Sequence, residues 1–169
     1  MDFKEYLIKR DKTLKEKFLT LLLYFAATVL AYVCLFIIPP IAGIGALLAA
    51  GCYYGAFKLS SKFKREYEYV ITGDGVDIDV IFNASARKRL ISFSIKDVEI
   101  LASVKDSNYN AKLKDEYKKT IDATTNRADA DVYFAVLEQG GRTLVKFEPP
   151  YAALEILKKY APSKVVISE

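Results

Sequence analysis

The chain has 169 residues, of which 52% are hydrophobic and 27% are charged, and its formal net charge is +4. Residues 66–169 carry fifteen basic and seventeen acidic side chains, which argues against a nucleic-acid-binding face on that part of the chain. The sequence contains no histidine, so the commonest general base and the commonest metal ligand are both missing.

A charged segment, residues 1–17, precedes a long apolar block. Residues 18–57 contain no charged side chain. The stretch 18–38 has about twenty apolar residues, enough to cross a hydrocarbon core of ~30 Å. Pro39-Pro40 ends that helix, because proline lacks the backbone N–H and disfavours a helical residue before it. A second, shorter apolar stretch follows at 41–57, and the pattern predicts a two-helix transmembrane hairpin.

The orientation follows from the basic flanks of this block. Residues 58–65 form a basic juxtamembrane linker that contains Lys58, Lys62, Lys64 and Arg65 and no acid. Lysine and arginine concentrate on the cytoplasmic side of a membrane. We therefore expect a multi-pass protein of the cell membrane with both termini in the cytoplasm. A cleaved signal peptide and a re-entrant hairpin are the alternatives.

Small residues recur at helix-packing spacing in both apolar stretches. Ala27 and Ala31 are four residues apart, as are Gly51 and Gly55. Such pairs let helix backbones approach closely in lipid. Packing within the hairpin is one interpretation; a second face for self-association or for a membrane partner is the other. Cys34 and Cys52 are expected at different depths, as small buried side chains.

Residues 66–169 change to the period-two pattern of strands with one buried face. A turn at Gly73-Asp74-Gly75 predicts a β-hairpin. The predicted strands are 66–72, 76–82, 87–95, 97–104, 132–139 and 142–148. Residues 107–114 are predicted as loop, and 115–123 stay undecided between a helical turn and a strand.

The last predicted element is an amphipathic helix over residues 151–160. Tyr151, Leu154 and Leu157 form an apolar stripe at helical spacing. Pro149-Pro150 precedes the helix and Pro162 follows it. The predicted fold of 66–169 is therefore a soluble, mainly-β domain with a C-terminal helix.

The phrases EYEYVITGDGVDID and ARKRLISFSIKDVEI, in this architecture, resemble uncharacterised bacterial proteins that pair two N-terminal spans with a pleckstrin-homology-like (PH-like) domain. The resemblance implies a cytoplasmic PH-like antiparallel barrel of six to seven strands, and it carries no catalytic residue. From the residues alone, another small β-barrel or sandwich remains an alternative.

Arg87, Lys88 and Arg89 are the candidate contact for an anionic lipid or a phosphate group, because adjacent cationic side chains can hold phosphate oxygens. A solvated strand start is the alternative for this cluster. Asp74, Asp77 and Asp79 lack the further ligands of a calcium loop. We find no catalytic, metal-binding or cofactor motif and expect no enzyme activity.

The first functional hypothesis is a membrane-anchored, non-catalytic interaction module. Its expected partners are membrane lipids or a membrane-proximal protein, with no nucleic acid. The alternative is a small accessory subunit of a larger membrane complex, which would contact that complex through the Gly/Ala-rich second helix.

Overall fold

The computed structural model describes residues 3–36, 43–138 and 140–167. Two compact units make up the chain. The helical unit consists of residues 12–65 and 82–84, and the sheet unit consists of residues 1–11, 66–81 and 85–169.

The described elements are eight strands, four α-helices and two 3₁₀ turns. In chain order they are β1 Phe3–Lys9, α1 Leu14–Phe36, α2 Ile44–Ser61, β2 Arg65–Thr72, β3 Gly75–Phe82, β4 Ala86–Ser94, a 3₁₀ turn Ile95–Asp97, β5 Val98–Ser103, a 3₁₀ turn Ser107–Tyr109, α3 Asn110–Lys114, β6 Lys119–Asp122, β7 Tyr133–Leu137, β8 Thr143–Phe147 and α4 Tyr151–Tyr160.

The strands form two four-stranded sheets. Sheet A has the order β1-β2-β3-β4 and sheet B the order β5-β7-β8-β6. In sheet B, β7 is antiparallel to β5 and β8, whereas β6 is parallel to β8. Among the described strands none pairs from one sheet to the other, so no closed barrel forms. The expected six to seven strands of residues 66–169 are present as the seven strands β2 to β8. The expectation of an antiparallel, closed barrel is wrong in the direction of β6 and in closure, because an alternating pattern marks a buried face but not the pairing partner.

The first strand lies in a segment that the sequence analysis treated as a charged lead-in. β1 runs antiparallel to β2, with Tyr6 opposite Tyr69 and Ile8 opposite Tyr67. The helices α1 and α2 therefore lie, in sequence, between two neighbouring strands of one sheet. The expected boundary at residue 66 leaves β1 outside the domain whose sheet it completes.

The core of the sheet unit is formed by the inward-facing side chains of both sheets and of α4. Its largest fully buried side chains include Tyr69, Ile71, Ile78, Leu101, Phe134, Phe147 and Leu157. The predicted helix at 151–160 is confirmed as α4, with Ala153, Leu154, Ile156 and Leu157 buried. The six predicted strands are confirmed as β2, β3, β4, β5, β7 and β8, and β6 adds a strand within the undecided stretch.

The stretch predicted as a loop, 107–114, is a 3₁₀ turn followed by α3. Tyr109, Leu113 and Tyr117 recur every four residues and pack on a buried cluster of sheet B that includes Phe134 and Val136. This helical spacing was the sequence signal for the element. A segment rich in polar residues still covers an apolar sheet surface through three side chains.

The apolar block forms two helices, and the expected Pro39-Pro40 turn lies outside the described residues. Thr13 and Glu16 begin α1 with a capping box: Thr13 Oγ1 accepts from the Glu16 backbone N–H at 3.3 Å, and Glu16 Oε2 accepts from the Thr13 N–H at 2.8 Å. Of the helices within the described residues, one, α1, is long and apolar enough to cross a membrane. The sequence predicted two such helices. Helix α1 meets the expectation, whereas the described part of α2 does not, since its last turn is polar and contains Lys58.

Candidate functional site

Charged side chains of three neighbouring strands meet on one face of sheet A. The Arg87 guanidinium lies 2.5 Å from Glu68 Oε1. Arg89 Nε lies 2.7 Å from Asp79 Oδ1, and its Nη1 lies 3.1 Å from Asp77 Oδ2. Both arginines of the candidate phosphate contact are therefore already paired with carboxylates, which weakens their attraction for an external anion.

Lys88, the third member of that cluster, is exposed. One lysine on a sheet whose neighbouring arginines are paired offers a weak field for a head group. The alternation of β4 and the acids of β2 and β3 explain the cluster as a cross-strand charge network. A head-group role for Arg87, Lys88 and Arg89 stays a prediction, and these ion pairs weigh against it.

Glu68 is the buried member of this network. The residue is 2% exposed, and its Oε2 has no hydrogen-bond partner among the described residues. Burial raises the pKa of the Glu68 carboxyl above its ordinary value, the neighbouring carboxyl of Glu5 raises it further, and Arg87 opposes both effects. Strand β1 thus places a second carboxylate beside a buried one.

A hydrogen-bond network joins sheet A to the loop after β6. The Tyr69 hydroxyl donates to the Ala123 carbonyl at 2.5 Å and accepts from the Glu148 backbone N–H at 3.2 Å. Glu148 Oε1 accepts from the Thr125 N–H at 2.7 Å and from its hydroxyl at 2.9 Å. Burial raises the pKa of Tyr69. The phenol therefore stays protonated at physiological pH and serves as a structural link.

Two open clefts border this network. The larger, of about 590 Å³, is lined by residues that include Lys105, Asp131, Tyr133, Pro150 and Tyr151. The smaller, of about 430 Å³, is lined by residues that include Leu7, Lys9, Arg127, Asp129 and Glu148.

Two of the basic side chains that line these clefts form ion pairs. Lys105 lies 2.8 Å from Asp131, and Arg127 lies 3.4 Å from Asp11. Within the described ranges no group of three or more Cys, Asp or Glu side chains is arranged to hold a metal ion.

A second ion-pair network holds α3 against sheet B. Glu99 pairs with Lys112 and with Arg142, whose guanidinium also lies 2.9 Å from Asp115. The hydrogen bond from Lys112 lowers the pKa of Glu99 below its usual range. Arg142 also lies over the Tyr117 ring, 5.2 Å from its centroid. The sequence analysis missed this network, because its members are far apart in the chain.

Helices α1 and α2 are antiparallel and pack through small residues. Tyr24 Oη lies 3.5 Å from Ser60 Oγ, and Thr28 Oγ1 lies 3.0 Å from Tyr53 Oη. The buried residues of these helices include Ala27, Ala31, Gly45, Ala49 and Ala56. A Cβ atom at Gly45 would lie 2.5 Å from the Cys34 carbonyl oxygen, so the two backbones approach each other closely there.

The predicted packing pairs fare differently. Ala27 and Ala31 are the buried residues of α1, and their role in packing stays a prediction. A Cβ atom at Gly51 or Gly55 would meet nothing within 4 Å. The helix rotation that places Gly45 and Ala49 against α1 turns Gly51 away.

Cys34 and Cys52 are free thiols of intermediate burial that lie near enough to each other to interact electrostatically. Side chains of a helix lean toward its N-terminus. In an antiparallel pair the two thiols therefore lean toward each other along the axis. Their different depths in a membrane stay a prediction.

A family model described as a bacterial PH-like domain (DUF6106) matches residues 2–167. The chain belongs to this family. The match begins before β1 and runs through both helices, so the family pattern includes the helical insertion and the first strand. PH-like domains are generally non-catalytic interaction modules, and they often bind lipids or proteins. No curated protein matches the chain.

Proposed function

We propose that the chain is an integral membrane protein whose α1–α2 hairpin anchors a non-catalytic PH-like interaction module at the cytoplasmic face of the cell membrane. The observation that carries the proposal is the distribution of side chains on the hairpin. Small residues fill the helix contact, whereas large apolar residues face outward, among them Phe18, Leu21, Phe25, Tyr32, Phe36, Leu47, Tyr54 and Phe57. In water such a surface would be strongly unfavourable, and in lipid it is the expected arrangement.

A buried helix of a soluble protein is the first rival. Such a helix would be enclosed by protein, yet only 11% of the most apolar 18-residue stretch of α1 is buried. A cleaved signal peptide is the second rival. Cleavage after α1 would also remove β1, whose seven residues pair with β2. Both features support a retained membrane anchor.

The flanks of the hairpin support the orientation. Residues 12–17 carry three lysines and one acid, residues 58–65 carry four basic side chains, and the connection between the helices has no charge. This asymmetry favours a cytoplasmic location for both termini and for the sheet unit. Four residues join β1 to α1 and three join α2 to β2, so the ligand of the module would be membrane-proximal.

Cysteine accessibility in intact cells tests this topology. In a background with Cys34→Ser and Cys52→Ser, a single cysteine is introduced as Ile41→Cys, between α1 and α2 in the sequence, or as Ser107→Cys in the exposed start of the second 3₁₀ turn. A membrane-impermeant maleimide should label Ile41→Cys in intact cells and Ser107→Cys only after permeabilisation. The reverse pattern, or extraction of the protein by alkaline carbonate, would refute the proposed anchor and orientation.

A second candidate function is an accessory subunit that contacts a larger membrane complex, or another copy of this chain, through α2. The open space at Gly51 and Gly55 favours it, because small residues unused within the hairpin leave room for another helix. Co-purification of one stoichiometric partner from native membranes, lost on Gly51→Leu but kept on Tyr32→Leu in the outward face of α1, would support it. An uncomplexed protein at native expression would exclude it.

A further inference from the structure

One end of the helical unit gathers most of its charge. The antiparallel arrangement brings the start of α1 and the end of α2 to the same end of the hairpin, as the Tyr24–Ser60 contact shows. The basic side chains there are Lys12, Lys15, Lys17, Lys58, Lys62, Lys64 and Arg65, which we call the basic end. Glu16 is the one acid within these two flanks, and it caps α1.

The positive charge of the basic end is poorly neutralised by the protein. Lys15, Lys17, Lys58, Lys62 and Lys64 are exposed, and none of them forms an ion pair within the described residues. The Arg65 guanidinium lies over the Phe82 ring, 5.7 Å from its centroid. Its Nε is buried and has no hydrogen-bond partner among the described residues, which is costly for a charged donor.

The surroundings of the basic end identify the class of ligand. Phe18 and Leu21 of α1, and Phe57 and Leu59 of α2, are large apolar side chains that are 47–68% exposed beside these lysines. A ligand that satisfies both surfaces needs an anionic group next to hydrocarbon. Phospholipid with a net negative head group has this structure, whereas a free phosphate ion lacks the hydrocarbon.

We propose that the basic end is a binding site for the phosphate groups of anionic phospholipid, built jointly by the two flanks of the hairpin. The inference rests on the proposed membrane insertion and adds a ligand to it. Arg87 and Arg89 are not part of this site, since they already form ion pairs with Glu68, Asp77 and Asp79. The lysines attract phosphate as point charges, and the flanking apolar side chains receive the acyl chains.

Native mass spectrometry of the full-length protein in detergent, with equimolar phosphatidylglycerol and phosphatidylcholine, tests the site. The wild type should retain the anionic lipid with a preference of at least about tenfold, and added salt should reduce it. The variant Lys15→Gln/Lys17→Gln/Lys62→Gln should lose most of that preference. A matched control, Lys119→Gln/Lys158→Gln/Lys159→Gln, removes three exposed lysines of the sheet unit and should keep it.

The outcomes separate this inference from the proposed function. A flank variant that keeps the preference, or a wild type that shows none, overturns the lipid site. Displacement of the lipid by an equal concentration of inorganic phosphate would also overturn it, because the apolar half of the site would then contribute nothing. Carbonate extraction of the same proteins reports insertion separately: extraction of the wild type refutes the membrane anchor, and retention without lipid preference refutes the lipid site alone.

Discussion

Adjacent residues of β2 show how alternation assigns different roles to neighbours. Tyr69 points into the core, where its ring meets Phe147 edge-on with centroids 5.7 Å apart. Glu68 points to the opposite face and is also buried, under Arg87 and beside Glu5. A carboxylate in such a position has lost water on one oxygen without gaining a donor. Its ionisation therefore makes the stability of the sheet unit depend on pH.

Replacing Glu68 with glutamine should change how stability depends on pH. The pKa of Glu68 is raised in the folded state, so the folded protein binds this proton more tightly than the unfolded chain does. The stabilising contribution of the protonated form is complete below the unfolded pKa, near 4.5, and is lost as the pH rises through the folded pKa. Glutamine mimics the protonated form at every pH.

The measurement for this prediction is the difference in unfolding free energy between Glu68→Gln and the wild type, from chemical denaturation at several pH values. We expect the difference to shift in favour of glutamine as the pH rises above 4.5. Asp74→Asn is a control of opposite sign, since hydrogen bonds from Ser94 and Lys96 lower the pKa of Asp74. If the difference in unfolding free energy for Glu68→Gln does not change with pH, ionisation of the carboxylate does not destabilise the folded state.

At the scale of elements, the hairpin depends on one glycine more than on the others. Gly45 has no space for a Cβ atom, because that atom would lie 2.5 Å from the Cys34 carbonyl oxygen. Gly51 has open space around the same position. Small-residue spacing alone favours Gly51 and Gly55. The rotation of α2 about its axis, set by all the contacts of the helix pair, decides which small residue matters.

Gly45→Leu should therefore separate the helices, and Gly51→Leu should leave the hairpin intact. The neighbouring thiols of Cys34 and Cys52 provide the readout: oxidation with copper phenanthroline in membranes should form an intramolecular disulfide in the wild type and in Gly51→Leu. Its yield should fall sharply in Gly45→Leu. Equal yields in both variants would contradict the observed register, and Cys34→Ser controls for intermolecular products.

The sheet unit, taken as a whole, contains a strand that lies on the other side of the helices in sequence. β1 occupies an edge of sheet A and pairs with β2 along its full length. The helices replace the turn that would otherwise join these two strands. A fragment that begins at residue 66 thus exposes the backbone of β2 and the flanks of Tyr67 and Tyr69.

Restoring β1 should stabilise the isolated sheet unit. We expect residues 1–9 joined to residues 66–169 by an Asn-Gly turn to unfold cooperatively, because Lys9 and Glu66 are paired and Asn-Gly suits a two-residue hairpin. The fragment 66–169 should be less stable by about 3 kcal/mol or more, at roughly 1 kcal/mol for each lost strand hydrogen bond. Urea denaturation followed by circular dichroism compares the two; equal midpoints would mean that β1 adds nothing.

Sequence by itself determined the features that depend on local patterns. Period-two alternation predicted six strands of the two sheets, the apolar stripe predicted α4 at its observed bounds, and the uncharged block predicted two helices. Each of these depends on which residues lie two to four positions apart, and the burial of one face enforces that pattern regardless of the partner.

Only the tertiary structure decided which elements are partners. It paired β1 with β2 across the helical insertion, made β6 parallel to β8, left the two sheets unclosed and placed Arg87 and Arg89 against Glu68 and Asp79. None of these contacts has a local signature, because residues far apart in the chain supply the two sides of each. The same reason applies to the candidate site. The sequence identified Arg87, Lys88 and Arg89 as a basic run, whereas the fold pairs the two arginines with carboxylates. The fold also brings the unpaired lysines of the two flanks to one end of the hairpin.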